Sequence, residues 1–90
     1  MKLVQEILVQ MPLGLHARPA STLVRLLQGC KSKVTFTHQG RHANGRSIVE
    51  LLMLAAKSGA TLEVTVEGAD ASDVMEIVTT AFDRGLEVTG

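Results

Sequence analysis

The sequence predicts an α+β domain in which a four-stranded antiparallel sheet carries three helices on one face and leaves the other open, a two-layer open-faced sandwich. Residues 61–67 (TLEVTVE) alternate strictly, with Leu62, Val64 and Val66 on one side and Thr61, Glu63, Thr65 and Glu67 on the other, as a strand with one buried face requires. Ala20, Leu23, Val24 and Leu27 recur at the spacing of a helix with one apolar stripe. The segments follow one another as β-α-β-β-α-β-α, and one-sided strands with one-sided helices bury each other best as two layers.

Each element has its own warrant. Residues 3–9 (LVQEILV) are aliphatic and partly alternating, with Ile7 and Val9 on one face, and predict the first strand. Met11-Pro12-Leu13-Gly14 breaks it. In the helix that follows, Thr22, Arg25 and Gln28 take the solvent face, Pro19 fits the first turn, and Gly29 stands where a left-handed C-cap belongs. Residues 33–38 turn Val34 and Phe36 inward, Gln39-Gly40 turns the chain, and residues 41–43 return as a hairpin. Asn44-Gly45 reads as a turn of left-handed residues. Ser47 and Glu50 have capping-box spacing, hydroxyl to the N3 amide and carboxylate back to the cap amide, ahead of an apolar helix running to about Lys57 and ended by Ser58-Gly59. The last helix takes Asp70 as cap, Val74, Ile77, Val78, Ala81 and Phe82 as its buried stripe, and Gly85 as its stop; residues 86–90 read as a loosely held tail.

Ninety residues make one domain, 1–90, too small to enclose a catalytic cavity between two lobes, so its chemistry belongs on the surface. Nine basic residues balance nine acidic ones and only two aromatics are present, which removes both usual supports of nucleic-acid binding. The absence of a twenty-residue apolar run argues against membrane insertion. The lone Cys30 forms no internal disulfide and, with the lack of a signal-peptide layout at the start, fits a cytoplasmic protein. No cofactor or metal is expected, since His38 and His42 flank Gly40 in a surface turn with no carboxylate or thiol at ligand spacing.

The chemically richest stretch is Gly14-Leu15-His16-Ala17-Arg18-Pro19-Ala20. A histidine, an arginine and a helix start fall together there. The helix start offers unpaired amides and the positive end of its dipole, Arg18 a planar cationic fork, and His16 a nucleophilic ring nitrogen. A phosphoryl group suits such a site.

These residues resemble the HPr family, the histidine-containing phosphocarriers of the bacterial phosphoenolpyruvate-dependent phosphotransferase system. The resemblance spans essentially the whole chain and rests on GLHARPA at 14–20 and NGRSI at 44–48 at their mutual separation. It implies that His16 accepts a phosphoryl group from enzyme I, on Nδ1 in family members, and passes it to a IIA domain; that Arg18 stabilises the group in transit; and that the amides of Ala17 and Arg18 add hydrogen bonds. It also implies a monomer, and matches Ser47 to a position that a dedicated HPr kinase phosphorylates in many relatives. The implied docking surface joins the first two helices, with Ala17, Ser21 and Arg25 around an apolar patch of Ile48, Val49, Leu52 and Met53. Glu50 stands where several enteric-type members have a basic residue, Gln28 also weakens the positive rim, and the run Leu51 to Leu54 is similar to the nitrogen-related branch.

Two rival readings stand beside the carrier. One is a regulatory docking module modified at Ser47 or serving the nitrogen-related branch, with no commitment to sugar uptake. The other is a small hydrolase with His16 as base, which ranks last because no paired acid, nucleophile elbow or ligand cluster accompanies it.

Overall fold

A computed structural model of the chain describes residues 1–86. It contains β1 (Lys2–Leu8), α1 (Ala17–Leu27), β2 (Lys33–His38), β3 (Arg41–Asn44), α2 (Ile48–Met53), β4 (Thr61–Glu67) and α3 (Ala71–Asp83), in the predicted order. The strands form one antiparallel sheet in the order β1-β4-β2-β3. Its core face carries Ile7, Leu62, Val64, Val66, Val34, Phe36 and Ala43 under the helices, all buried. The opposite face presents cross-strand rows such as Glu6–Glu63–Thr37–His42 and Lys2–Glu67–Lys33. The alternation of residues 61–67 is borne out without a shift: Leu62, Val64 and Val66 are fully buried.

The hairpin between β2 and β3 closes through Gln39 and Gly40, both at positive φ (50° and 79°), the mirror-image turn whose twist matches that of paired strands. α3 ends in a Schellman motif with Gly85 at φ 68°: its amide bonds the Phe82 carbonyl at 2.9 Å and the Leu86 amide bonds Ala81 at 2.7 Å. Gly85 is thus the stop the sequence indicates. Leu86, expected in a loose tail, is buried; the rest of that tail, 87–90, lies outside the described residues.

Several local expectations are corrected. Thr22, placed on the solvent face of α1, is buried, and its hydroxyl donates to the Arg18 carbonyl at 3.2 Å, so its polarity is satisfied inside its own helix. Gly29 is not left-handed; α1 closes instead with a tight bond from the Gln28 amide to Arg25. Asn44 and Gly45 are not left-handed either. Asn44 closes the turn through its side chain, which accepts from the Arg46 amide, and Gly45 fits a crowded spot where a Cβ would sit 3.0–3.1 Å from the side chains of Leu27, Phe36 and Val34. α2 stops at Met53 rather than near Lys57, since Ala55 turns left-handed at φ 52° and breaks the ladder. Ile77, assigned to the buried stripe of α3, is 37% exposed, while Met75 is buried in its place.

Asp70 precedes α3 as expected but does not cap it. Its carboxylate reaches across the sequence to accept from the Lys31 and Ser32 amides, each at 2.9 Å, and from the Ser32 hydroxyl. Ser32 is itself buried, and its carbonyl accepts from the Arg46 guanidinium at 2.9 Å, which also donates to the carbonyl of Cys30. The starts of α3 and β2 and the approach to α2 are therefore tied through one serine. The Ser32 hydroxyl first, then the Lys31 amide, hold the Asp70 carboxyl below its ordinary value of 3.8.

A carboxyl depressed in the folded state stabilises the fold above its unfolded pKa and loses that contribution as pH falls through its folded one. Urea unfolding of the wild type and Asp70→Ala at a series of pH values is expected to show the variant less stable at pH 7 and the gap closing as pH drops below 3.8. A gap constant with pH contradicts the assignment.

Candidate functional site

The chain leaves β1 through buried Val9 and Met11, and the next turn is fixed almost wholly by backbone. Gly14 bonds the Met11 carbonyl at 2.9 Å, Leu15 donates to the Ala56 carbonyl at 2.9 Å, and the His16 amide bonds back to Gly14 at 3.0 Å. Leu15 is buried in the core. Gly14 sits at φ 72°, and a Cβ on it would fall 2.5 Å from the Ala56 oxygen and 3.0 Å from Lys57 Cα. Glycine is required there twice over, for its conformation and for the approach.

This brace delivers His16 to the N-cap of α1 with extended backbone (φ −95°, ψ −171°), and its carbonyl accepts the first intrahelical bond, from Ala20 at 3.0 Å. The imidazole makes no capping bond and, among the described residues, meets no hydrogen-bond partner at either ring nitrogen. It is half-buried on the wall of an open depression of about 270 Å³, shared with Met11, Pro12, Arg18, Pro19 and Leu86. The amides of Ala17 and Arg18, in the first turn of α1, find no acceptor among the described residues, and the Arg18 side chain is exposed beside them. Pro19, the third helical residue, has no N–H to offer. An unpartnered imidazole, two free amides, a guanidinium and the positive end of an eleven-residue helix thus converge on one solvent-open spot.

The other predicted residues lie on the two helices that flank this spot. Ala17 and Arg25 are exposed on α1 and Ser21 is half-buried. On α2, Ile48 (38%), Val49 (67%), Leu52 (39%) and Met53 (66%) are exposed, while Leu51 and Leu54 go to the core, a division the apolar run alone did not give. α1 and α2 are in contact, so these exposed side chains belong to the helix beside α1, Met53 also lining a depression with Arg41 and His42 of β3. Ser47 caps α2, its hydroxyl accepting from the Glu50 amide at 3.2 Å. The second half of the capping box is displaced: the Glu50 carboxylate accepts from the Asn44 amide at 2.9 Å, and the Ser47 amide goes to the Asn44 carbonyl. The His38 ring meets the Thr61 carbonyl at the start of β4 and the His42 ring the Thr37 hydroxyl within the hairpin, and among the described residues no group of side chains is placed to hold a metal. Nor is any described helix long and apolar enough to cross a membrane.

Sequence reasoning missed two contributors. Ala56 holds the histidine turn through its carbonyl, which no side-chain pattern reports, although Gly14 ahead of a histidine was a signal of close backbone approach. Arg46 acts as a tie between loops, legible only as the unexplained basic residue of NGRSI.

A family model described as the PTS HPr component phosphorylation site matches residues 3–84. The chain is 37% identical over 78 residues to a phosphocarrier protein HPr of Chlamydia muridarum, covering 87% of this chain and 75% of that one. It is 33% identical over 79 residues to the phosphocarrier protein HPr of Xylella fastidiosa strain 9a5c, covering 88% and 89%. Among solved structures it superposes on a phosphocarrier protein HPr from Bacillus anthracis with a TM-score of 0.83 at 26% identity, covering 88% of this chain and 94% of the other.

The Gly14 contact generates a test of what holds the histidine turn. Gly14→Ala is expected to cost roughly 1–3 kcal/mol in chemical unfolding and to shift the NMR signals of Leu15, His16 and Ala56 together. A variant as stable as the wild type with those signals unmoved contradicts the brace.

Proposed function

The chain belongs to the HPr phosphocarrier family of the phosphotransferase system, and on that footing we propose that His16 takes a phosphoryl group from phosphoenolpyruvate-charged enzyme I and gives it to IIA domains. The observation that carries this reading is the half-buried imidazole at the start of α1, on an open depression with Arg18 and beside two first-turn amides, none of the ring nitrogens or amides having a partner among the described residues. A ring nitrogen attacks phosphorus, the N–P bond forms as the donor's bond to phosphorus breaks, and the reverse exchange hands the group on. Transfer of this kind needs positioning and charge stabilisation rather than an enclosed pocket. The amides of Ala17 and Arg18 and the helix dipole act on the phosphoryl oxygens from fixed backbone, and Arg18 adds a mobile positive charge. The protein is then a stoichiometric carrier and not a catalyst, and it carries no cofactor.

The partners dock on the patch of Ile48, Val49, Leu52 and Met53, with Ala17, Ser21 and Arg25 around it. Glu50 and Gln28, both exposed, lower the positive charge there and shift partner choice away from strongly acidic surfaces. At Ser47 the hydroxyl already serves the helix cap and the Glu50 carboxylate stands at the same helix start, so a phosphoryl group there gains the N-terminal dipole but displaces a bond and meets a like charge.

Incubation with phosphoenolpyruvate and enzyme I is expected to label the wild type with acid-labile phosphate, and His16→Ala not at all; labelling of that variant overturns the reading. Arg18→Ala should still be labelled, with a transfer rate lower by on the order of a hundredfold. Val49→Asp, at an exposed position, should raise the KM of transfer about tenfold and leave kcat and unfolding unchanged; an unaltered KM removes Val49 from the docking patch.

A further inference from the structure

A second concave surface lies on the other flank of α1, away from α2. There α1 and α3 run in opposite directions: Leu86, just past the end of α3, lines the His16 depression, while Asp70, just before α3, bonds the residues that follow α1. Between the two helices is an open groove of about 590 Å³, floored by Leu26, Ile77 and Ala81. Leu26 is 42% and Ile77 37% exposed, although both lie among residues that pack a core. This exposed aliphatic surface is separate from that of α2.

The charges along the groove are ordered. Asp73 and Glu76 edge the end near Leu26, and Arg84 edges the end near Leu86. Leu86 lines both this groove and the depression that contains His16 and Arg18, so the basic end runs without a break into the histidine site. An apolar floor with a carboxylate end and a guanidinium end selects both the chemistry and the direction of what lies in it. We propose that the α1–α3 groove is a docking site for an amphipathic helix of a protein partner, with an aliphatic ridge, carboxylates in its first turn over Arg84 and Arg18, and basic residues in its last turn over Asp73 and Glu76. That charge order is also the one a helix favours by its own dipole, so the partner helix is stabilised by the sequence the groove requires. The groove lies between two antiparallel helices with apolar residues of both in its floor, which suits the ridge of a third helix.

The test uses the full chain, isotopically labelled, and a synthetic helical peptide of roughly fourteen residues, about four turns, with leucines at helical spacing, glutamates in the first turn and lysines in the last. NMR titration is expected to move the amide signals of Leu26, Ile77 and Ala81 and to leave those of Ile48 and Val49 in place. Ile77→Glu should weaken binding at least about tenfold. Asp73→Lys with Glu76→Lys should weaken it about fivefold or more, with a charge-reversed peptide recovering the loss, a result that mere damage to the fold does not give. Shifts centred on α2, affinity indifferent to Ile77→Glu, or binding that appears only after residues 87–90 are deleted each overturn the proposal, the last by assigning the groove to the chain's own end. None of these readings needs a phosphoryl group on His16, so the carrier function stands or falls separately.

Discussion

The contact on which the rest of the site depends is made by backbone alone: Gly14 and Leu15 pressed against the carbonyl of Ala56 and the chain at Lys57. It joins the exit of the first strand to the loop after α2, two segments about forty residues apart, and it sets where α1 begins. Because α1 begins there, His16 is its N-cap, and the first-turn amides of Ala17 and Arg18 follow it directly in the chain. Moving the loop by an ångström would leave the same residues in the sequence without the same site, which is the sensitivity that positioned phosphoryl chemistry shows.

The same loop continues from α2, whose outward side chains form the exposed apolar patch. α2 has only six residues, short for a helix to persist unaided, and its ends are held by other parts of the chain. Ser47 and the Asn44 amide bonded to Glu50 fix its start, and the Arg41 guanidinium donates to the Met53 carbonyl at its end, 3.1 Å away. The helix proposed to meet partners and the turn that bears the histidine are thus parts of one braced unit. At the opposite side, the Asp70–Ser32–Arg46 chain of bonds keeps the start of α3 and the approach to α2 in fixed relation across the end of the sheet.

Much of this was legible before any coordinates. Strand β4 and the apolar stripe of α1 follow from periodicity, because burial on one side imposes a repeat that the side chains display. His16 and Arg18 are legible because their chemistry has few other uses at a helix start. What was not legible is what side chains do not encode. The end of α2 depends on Ala55 adopting a left-handed conformation that alanine disfavours, held by the loop that braces Gly14. Gly45 and Gly29 both lie outside the left-handed region, and what distinguishes them is the crowding at Gly45, which no side-chain pattern reports. Asp70 sits where a cap belongs and spends its carboxylate on residues far away in sequence, since two amides and a hydroxyl outbid one helix end. Exposed and buried members of residues 48–54 separate only once the helix is seen against the sheet.

The pairing at the start of β1 has a consequence for how the domain can be built into larger assemblies. The Gly68 amide bonds the Met1 carbonyl at 2.9 Å, which pins the first residue beside the beginning of α3, while β1 then runs the length of the sheet, roughly 20 Å at the rise of a strand, before the chain reaches His16. A polypeptide joined ahead of Met1 therefore leaves from the pole opposite the histidine, and the site stays clear of its own tether. Leu86, by contrast, stands on the rim of the site, so a group attached at its side chain and a polypeptide attached ahead of Met1 start at very different distances from the imidazole.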